Sequence, residues 1–188
     1  RGLAGHDDDT VNTGAGDDLA AGDQGIITYA GNQFVQAITT DPTLGGNDQM
    51  DLGDGNDRAF GGGGDDQLNG EAGDDIIFGD FGVMGFDDLD QFFVDTSDLG
   101  LGGDDVIDGG EGLDRLLGGA GADLFTGLFF DDVILGNYGR ITDVPALNGV
   151  VVSTVPSVLG LIGGSQEGLY TGRTILPELT WDPVTQVL

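Results

Sequence analysis

The sequence predicts an all-β fold, a parallel β-roll (β-solenoid) whose short strands alternate with tight turns suited to holding cations. Three observations predict it. A nine-residue frame recurs ten times with Asp in its sixth place and an apolar residue in its eighth. The residue types that such turns need dominate the composition: 38 of 188 residues are Gly, and 34 acids stand against 5 bases, a net charge of −29. A longer period of 57 residues is laid over the nine.

Glycine, at about 20%, is nearly three times as frequent as in ordinary globular chains. Of the acids only four are Glu, and every base is Arg. So many like charges on 19.2 kDa repel one another and favour disorder unless counterions bind. A short Asp carboxylate beside a glycine turn reaches a cation that its own backbone also coordinates, whereas a solvated acidic face would more often carry Glu. Composition alone therefore leaves two readings, a disordered acidic segment or a metal-loaded fold. It argues against nucleic acid or an anionic membrane surface as partner, because no cationic patch exists. The absence of Cys removes disulfides, thiolate metal sites and Cys nucleophiles. No apolar run reaches the ~18 residues of a membrane helix, so no membrane insertion is expected.

The repeat decides between the two readings, since a disordered tract has no reason to keep a phase. Frames at 4–12 and 13–21 carry Asp9 and Asp18 in sixth place, with Val11 and Ala20 in eighth. Frames at 43–51, 52–60, 61–69 and 70–78 carry Asp48, Asp57, Asp66 and Asp75, with Met50, Ala59, Leu68 and Ile77. Frames at 100–108, 109–117, 118–126 and 127–135 carry Asp105, Asp114, Asp123 and Asp132, with Ile107, Leu116, Phe125 and Ile134.

The pattern Gly-Gly-x-Gly-x-Asp-x-apolar-x resembles the calcium-binding nonapeptide of RTX (haemolysin-type) proteins, and frames 61–69, 109–117 and 118–126 match it at every defined place. The resemblance covers about residues 4–141 and implies a right-handed parallel β-roll binding several Ca²⁺ ions. The physics agrees. Glycines such as Gly62, Gly64, Gly110, Gly112, Gly119 and Gly121 permit left-handed backbone and close approach of carbonyls. Ca²⁺ takes six to eight oxygens at about 2.3–2.6 Å, more than one turn supplies. A six-residue turn offers some and the next stacked turn the rest, while the other three residues form a strand whose middle side chain points inward. Two nonapeptides make one coil, so turns on one side lie 18 residues apart. Ca²⁺ is then expected between Asp48 and Asp66, Asp57 and Asp75, Asp105 and Asp123, and Asp114 and Asp132. Ion binding and folding become one event.

The 57-residue period joins Gly22-Asp23-Gln24-Gly25, Gly79-Asp80-Phe81-Gly82 and Gly136-Asn137-Tyr138-Gly139. Asp23 and Asp80, in these closing turns, complete the candidate ligand set. Arg1, Arg58 and Arg115 keep the same spacing, as do Thr39-Thr40 and Thr96-Ser97. Each unit holds four nonapeptides, a closing turn and a connector, in blocks of about 1–42, 43–99 and 100–141. Connectors carry apolar runs (Phe34-Val35, Phe92-Phe93-Val94, Val150-Val151-Val152), and the last strand of each complete block is apolar on both faces (Ile76-Ile77-Phe78, Val133-Ile134-Leu135). The connector is therefore expected to fold over the outer face of that strand. Arg1 falls in the seventh place of a frame, which suggests a window on a longer array.

Residues 142–188 contain only four acids, and Leu161 and Ile162 stand where loop residues would be expected. This segment reads as a calcium-poor β-rich cap, in which Tyr170 and Trp181 pack, as an interface for another subunit, or as a secretion signal. Other chemistry finds no support. Asp51-x-Gly53-Asp54-Gly55-Asn56-Asp57 lacks the Glu and helices of an EF-hand, and a P-loop needs a Lys. His6, the one histidine, occupies a variable turn place and reads as a surface residue. Asp65-Asp66 and Asp74-Asp75 recur as turn residues rather than as a catalytic dyad. An ice-binding array needs a flat Thr row, which is lacking. The sequence thus points to no enzyme. It points to a calcium-dependent structural or adhesive region of a large secreted bacterial protein, extracellular or at the cell surface, exported by a type I route. Such a region could associate with itself end to end or through the C-terminal segment. The alternative is the calcium-folding module of a secreted toxin or hydrolase.

Overall fold

The computed structural model describes residues 1–98, 100–127 and 132–144, together with the backbone of three later strands within 149–175. After β1 (Gly2–Leu3), the seventh to ninth places of the ten frames form three-residue strands. Numbered along the chain, these are β2 (Thr10–Asn12), β3 (Leu19–Ala21), β6 (Gln49–Asp51), β7 (Arg58–Phe60), β8 (Gln67–Asn69), β9 (Ile76–Phe78), β12 (Val106–Asp108), β13 (Arg115–Leu117), β14 (Leu124–Thr126) and β15 (Val133–Leu135). The connectors supply β4 (Gly25–Ala30), β5 (Gln33–Thr39), β10 (Gly82–Phe86), β11 (Phe92–Thr96), β16 (Gly139–Val144) and β17 (Gly149–Thr154). Strands β18 (Leu169–Thr171) and β19 (Thr174–Ile175) follow. No helix occurs among the described residues.

Successive frames alternate between two parallel sheets, as a coil of two nonapeptides requires. One sheet runs β1-β3-β7-β9-β13-β15 and is extended antiparallel by β18 and β19; the other runs β2-β6-β8-β12-β14. Within a block, paired residues lie 18 apart (Ala59 with Ile77, Leu116 with Ile134). Between blocks they lie 39 apart (Ala20 with Ala59, Ile77 with Leu116), because a connector intervenes without breaking the stack. The chain is a β-roll.

Alternation of side chains dictates the packing. Each eighth-place residue points between the two sheets, and Met50, Ala59, Leu68, Ile77, Ile107 and Leu116 are all at most 2% exposed. A thin core like this gives about 1.5–3 kcal/mol for each large side chain buried, so no single contact dominates. Seventh- and ninth-place residues point outward. On the β2 sheet they meet solvent, with Gln49 and Gln67 exposed. On the β1 sheet Ala21, Phe60, Phe78 and Leu117 are buried, under a third layer.

That layer is built from the connectors. They pair as one six-stranded antiparallel sheet, β4-β5-β10-β11-β16-β17, with Ala37, Met84, Val94 and Ile141 pressed on the outer face of the β1 sheet. Apolar runs in the connectors and the doubly apolar strands β9 and β15 are thus two sides of one interface. Hydrogen bonds repeat with the 57-residue period: the Thr39 hydroxyl accepts from Gly82 N–H, and Thr96 from Gly139 N–H, both at 2.9 Å. The periodic arginines anchor the layer as well. Arg1 lies 4.2 Å from the Tyr29 ring centroid, Arg58 lies 5.9 Å from both Phe34 and Phe92, and Arg115 pairs with Asp143 at 2.7 Å.

Each connector is spliced into a turn rather than placed between turns. Gly22 N–H bonds to Phe60 O as Gly61 N–H bonds to Phe78 O, so Gly22-Asp23 takes the first two places of its turn. Gly45 resumes at the third place, and Gly79-Asp80 with Gly102 repeats the arrangement. Thr43-Leu44 and Gly100-Leu101, which fill those first places by sequence phase alone, lie outside the turn, and Leu44 N–H closes instead on Asp41 O. The side chains of Tyr170 and Trp181, and most of 142–188, lie outside the described residues.

Candidate metal centres

The six-residue turns stack along both edges of the roll, and their sixth-place aspartates form two ladders. On the edge where the connectors leave, the rungs are Asp9, Asp48, Asp66, Asp105 and Asp123. On the opposite edge they are Asp18, Asp57, Asp75, Asp114 and Asp132. From the second coil onward, Oδ1 of each rung accepts the backbone N–H of the rung one coil earlier. The four pairs anticipated from the 18-residue spacing are joined this way: Asp48 N–H to Asp66 at 2.7 Å, Asp57 to Asp75 at 2.8 Å, Asp105 to Asp123 at 3.2 Å and Asp114 to Asp132 at 3.0 Å. The same bond crosses the block boundaries, from Asp9 to Asp48, Asp18 to Asp57, Asp66 to Asp105 and Asp75 to Asp114, all within 2.7–2.9 Å. Sequence spacing alone missed these cross-block pairs, because the spliced connector changes 18 into 39.

The second carboxylate oxygen is where the chemistry lies. Oδ2 of Asp48, Asp57, Asp66, Asp75, Asp105, Asp114 and Asp123 is buried without a hydrogen-bond partner. An unpaired buried carboxylate oxygen costs several kcal/mol unless a cation or proton meets it. Burial, followed by neighbouring carboxylates, accordingly pushes these acids above their ordinary value of 3.8, Asp66 and Asp75 to about 8 and Asp105 to about 9. Asp48 and Asp123 rise to about 6 and Asp114 to about 7, again chiefly through burial.

Main-chain oxygens converge on the same places. A methyl group at Gly61 would overlap both Asp66 Oδ2 and the carbonyl oxygen of Gly79 in the next coil. Gly70 stands likewise against Asp75 and Gly109, Gly22 against Asp48 and Gly61, Gly79 against Asp105 and Gly118, and Gly118 against Asp123 and Gly136. These first-place glycines belong to the repeating pattern read in the sequence but were not among its candidate site residues. Among the described residues no three acidic or imidazole side chains converge, so a cation here would draw on one or two carboxylates and complete its shell from carbonyls. Hard carboxylate and carbonyl oxygens of that kind suit Ca²⁺.

The candidate glycines shape the turns. Gly62 and Gly64 (both φ +118°), Gly110 (+85°), Gly112 (+152°), Gly119 (+109°) and Gly121 (+110°) all occupy left-handed backbone, in second and fourth place. Asp23 and Asp80 also differ from the rungs. Asp23 Oδ2 accepts from Gly63 N–H at 2.7 Å while its Oδ1 is buried and unpaired. Asp80 accepts from Gly103 N–H at 3.0 Å and from Ala120 N–H. The fifth-place residues form a further, exposed ladder. Asp65 N–H bonds to the Asn47 side chain and Asp104 N–H to Asp65. His6 is exposed and touches Gln24.

A family model, the RTX calcium-binding nonapeptide repeat (4 copies), matches residues 3–26, 44–59, 51–83 and 99–134, more than half of the chain. The chain belongs to the RTX calcium-binding nonapeptide repeat family. No curated protein and no solved structure matches it. RTX nonapeptides bind Ca²⁺ in multiple turns, and the family is a structural calcium-binding module rather than a catalytic one. The orphaned carboxylate oxygens and facing carbonyls of this RTX roll lie in those turns.

Proposed function

We propose that the rung aspartates hold Ca²⁺ between successive turns, and that the roll is a calcium-folded structural or adhesive rod within a large secreted bacterial protein. The observation that carries this reading is the row of buried, unpaired Oδ2 atoms facing carbonyls of the next coil. Stacked carboxylates without counterions repel, so the roll is stable only where Ca²⁺ is abundant. Submicromolar Ca²⁺ inside a cell leaves the chain unfolded and fit for a type I secretion channel. Calcium near millimolar outside suffices for extracellular modules with Kd of about 10⁻⁴–10⁻³ M. A rod is favoured over an accessory module by the way the units join. Both ladders and the connector sheet run through the block boundaries without a break, so further units add length and not a new fold.

The test is far-UV circular dichroism during a Ca²⁺ titration of the chain, then chelation, with sizing of the loaded sample. A coil-to-β transition reversed by chelator is expected, together with an elongated particle or fibre. A compact, non-associating monomer would favour the calcium-folding module of a secreted toxin or hydrolase. A chain already folded without Ca²⁺ would remove the basis of both.

A further inference from the structure

The two edges of the roll are not equivalent. On the connector edge Asp48, Asp66, Asp105 and Asp123 each face a first-place glycine with a carbonyl of the next coil beside it. On the opposite edge Leu52 stands where the connector edge has Gly22, Gly109 meets Asp114 Oδ2 without a next-coil carbonyl beside it, and only Asp75 shows the full arrangement among the described residues. The connector edge also carries two extra carboxylates, both buried: Asp23 (0% exposed) and Asp80 (2%). Asp23 follows Gly22, which abuts Asp48 Oδ2, and packs on Gly62, whose neighbour Gly61 abuts Asp66 Oδ2. Asp80 repeats this between Asp105 and Asp123 through Gly79 and Gly119. On the opposite edge the acid in the corresponding second place is Glu71, which is exposed.

We propose that the roll loads calcium in order, the connector edge first, because Asp23 and Asp80 set one additional buried carboxylate beside each within-block pair of rungs on that edge alone. The inference rests on the calcium reading of the rungs given above. Asp23 and Asp80 act here as fixed neighbouring charges, positioned by the N–H groups of Gly63, Gly103 and Ala120. Affinity for Ca²⁺ follows the negative charge gathered at the site, and a buried charge is little screened by solvent. The contacts through Gly22, Gly62, Gly79 and Gly119 place these extra carboxylates beside the rungs.

Calorimetric Ca²⁺ titration of the chain should resolve two classes of site differing about tenfold or more in affinity. The pair Asp23→Asn and Asp80→Asn should weaken the tight class by about that factor, with the number of ions and the saturated dichroism spectrum unchanged. Asp57→Asn with Asp114→Asn should deplete the weak class alone. A single class in the wild-type chain, or a tight class untouched by the first pair, overturns the proposal. Should that pair fail to fold, NMR of the wild-type chain during stepwise chelation decides instead. The amides of Gly73 and Gly112 should be lost before those of Gly63 and Gly103, and simultaneous loss overturns the ordering. No binding at all would sink the calcium reading itself, a result distinct from binding without order.

Discussion

Asp66 is 1% exposed, and the raised pKa values of the rungs give the calcium-free roll a definite pH response. A carboxyl that titrates near 8 in the fold and near 3.8 unfolded binds more protons when folded across that interval. The stability it contributes is therefore complete below about 4 and is lost as pH rises through 8, or 9 for Asp105. Calcium must displace those protons. The midpoint of the calcium-driven dichroism transition is expected to fall by at least about tenfold in Ca²⁺ between pH 5.5 and pH 8. A midpoint independent of pH would contradict burial of the rungs. At the turn glycines the limit is steric. Gly112 has φ +152° and its missing Cβ would overlap the carbonyl oxygen of Gly73. Gly112→Ala should therefore destabilise the calcium-loaded roll by about 2 kcal/mol or more in denaturant titration, while the reverse change Ala15→Gly at an exposed turn position should be nearly neutral. Glu71 occupies the left-handed region at φ 68° in the corresponding second place, and so marks a site of stored strain.

Among the elements, the three-residue strands were fully legible. Asp in sixth place ends a turn and the eighth-place residue packs between the sheets, as this alternation implied, whereas the 39-residue register between blocks was not in it. The connectors were half legible. Phe34, Phe92-Phe93 and the apolar faces of Ile76 and Phe78 implied a covering layer, but not its pairing as one continuous sheet, since strand order depends on neighbours that no local pattern names. The arginine spacing was visible while its meaning was not: only the fold brings Arg58 to Phe34 and Phe92, both distant in sequence. The splice was hidden for a related reason. Thr43-Leu44 keep the phase of the frame, yet Gly22-Asp23 hold the hydrogen-bonded place. Removing residues 24–44, which joins Asp23 to Gly45, should leave the ladders and the calcium transition intact. It should also uncover Ala21 and Phe60 on the β1 sheet, and the product should self-associate on sizing columns. Loss of the calcium transition instead would mean that the connector helps to form the turn.

For the molecule as a whole, the sequence yielded the sheet pair and the four within-block carboxylate pairs. It did not yield the joining of blocks, because the chain leaves the roll and returns beside its own exit. That return has a consequence for how the chain acquires its shape. Gly85 pairs with Gln36, 49 positions away, and Phe93 with Thr142 at the same separation; no strand pairing among the described residues reaches further. Closing such short loops carries a modest entropic penalty, and every new coil lays down on one already formed. A chain entering a calcium-rich space from one end can thus fold progressively as it emerges, with the completed turns acting as a ratchet against sliding back.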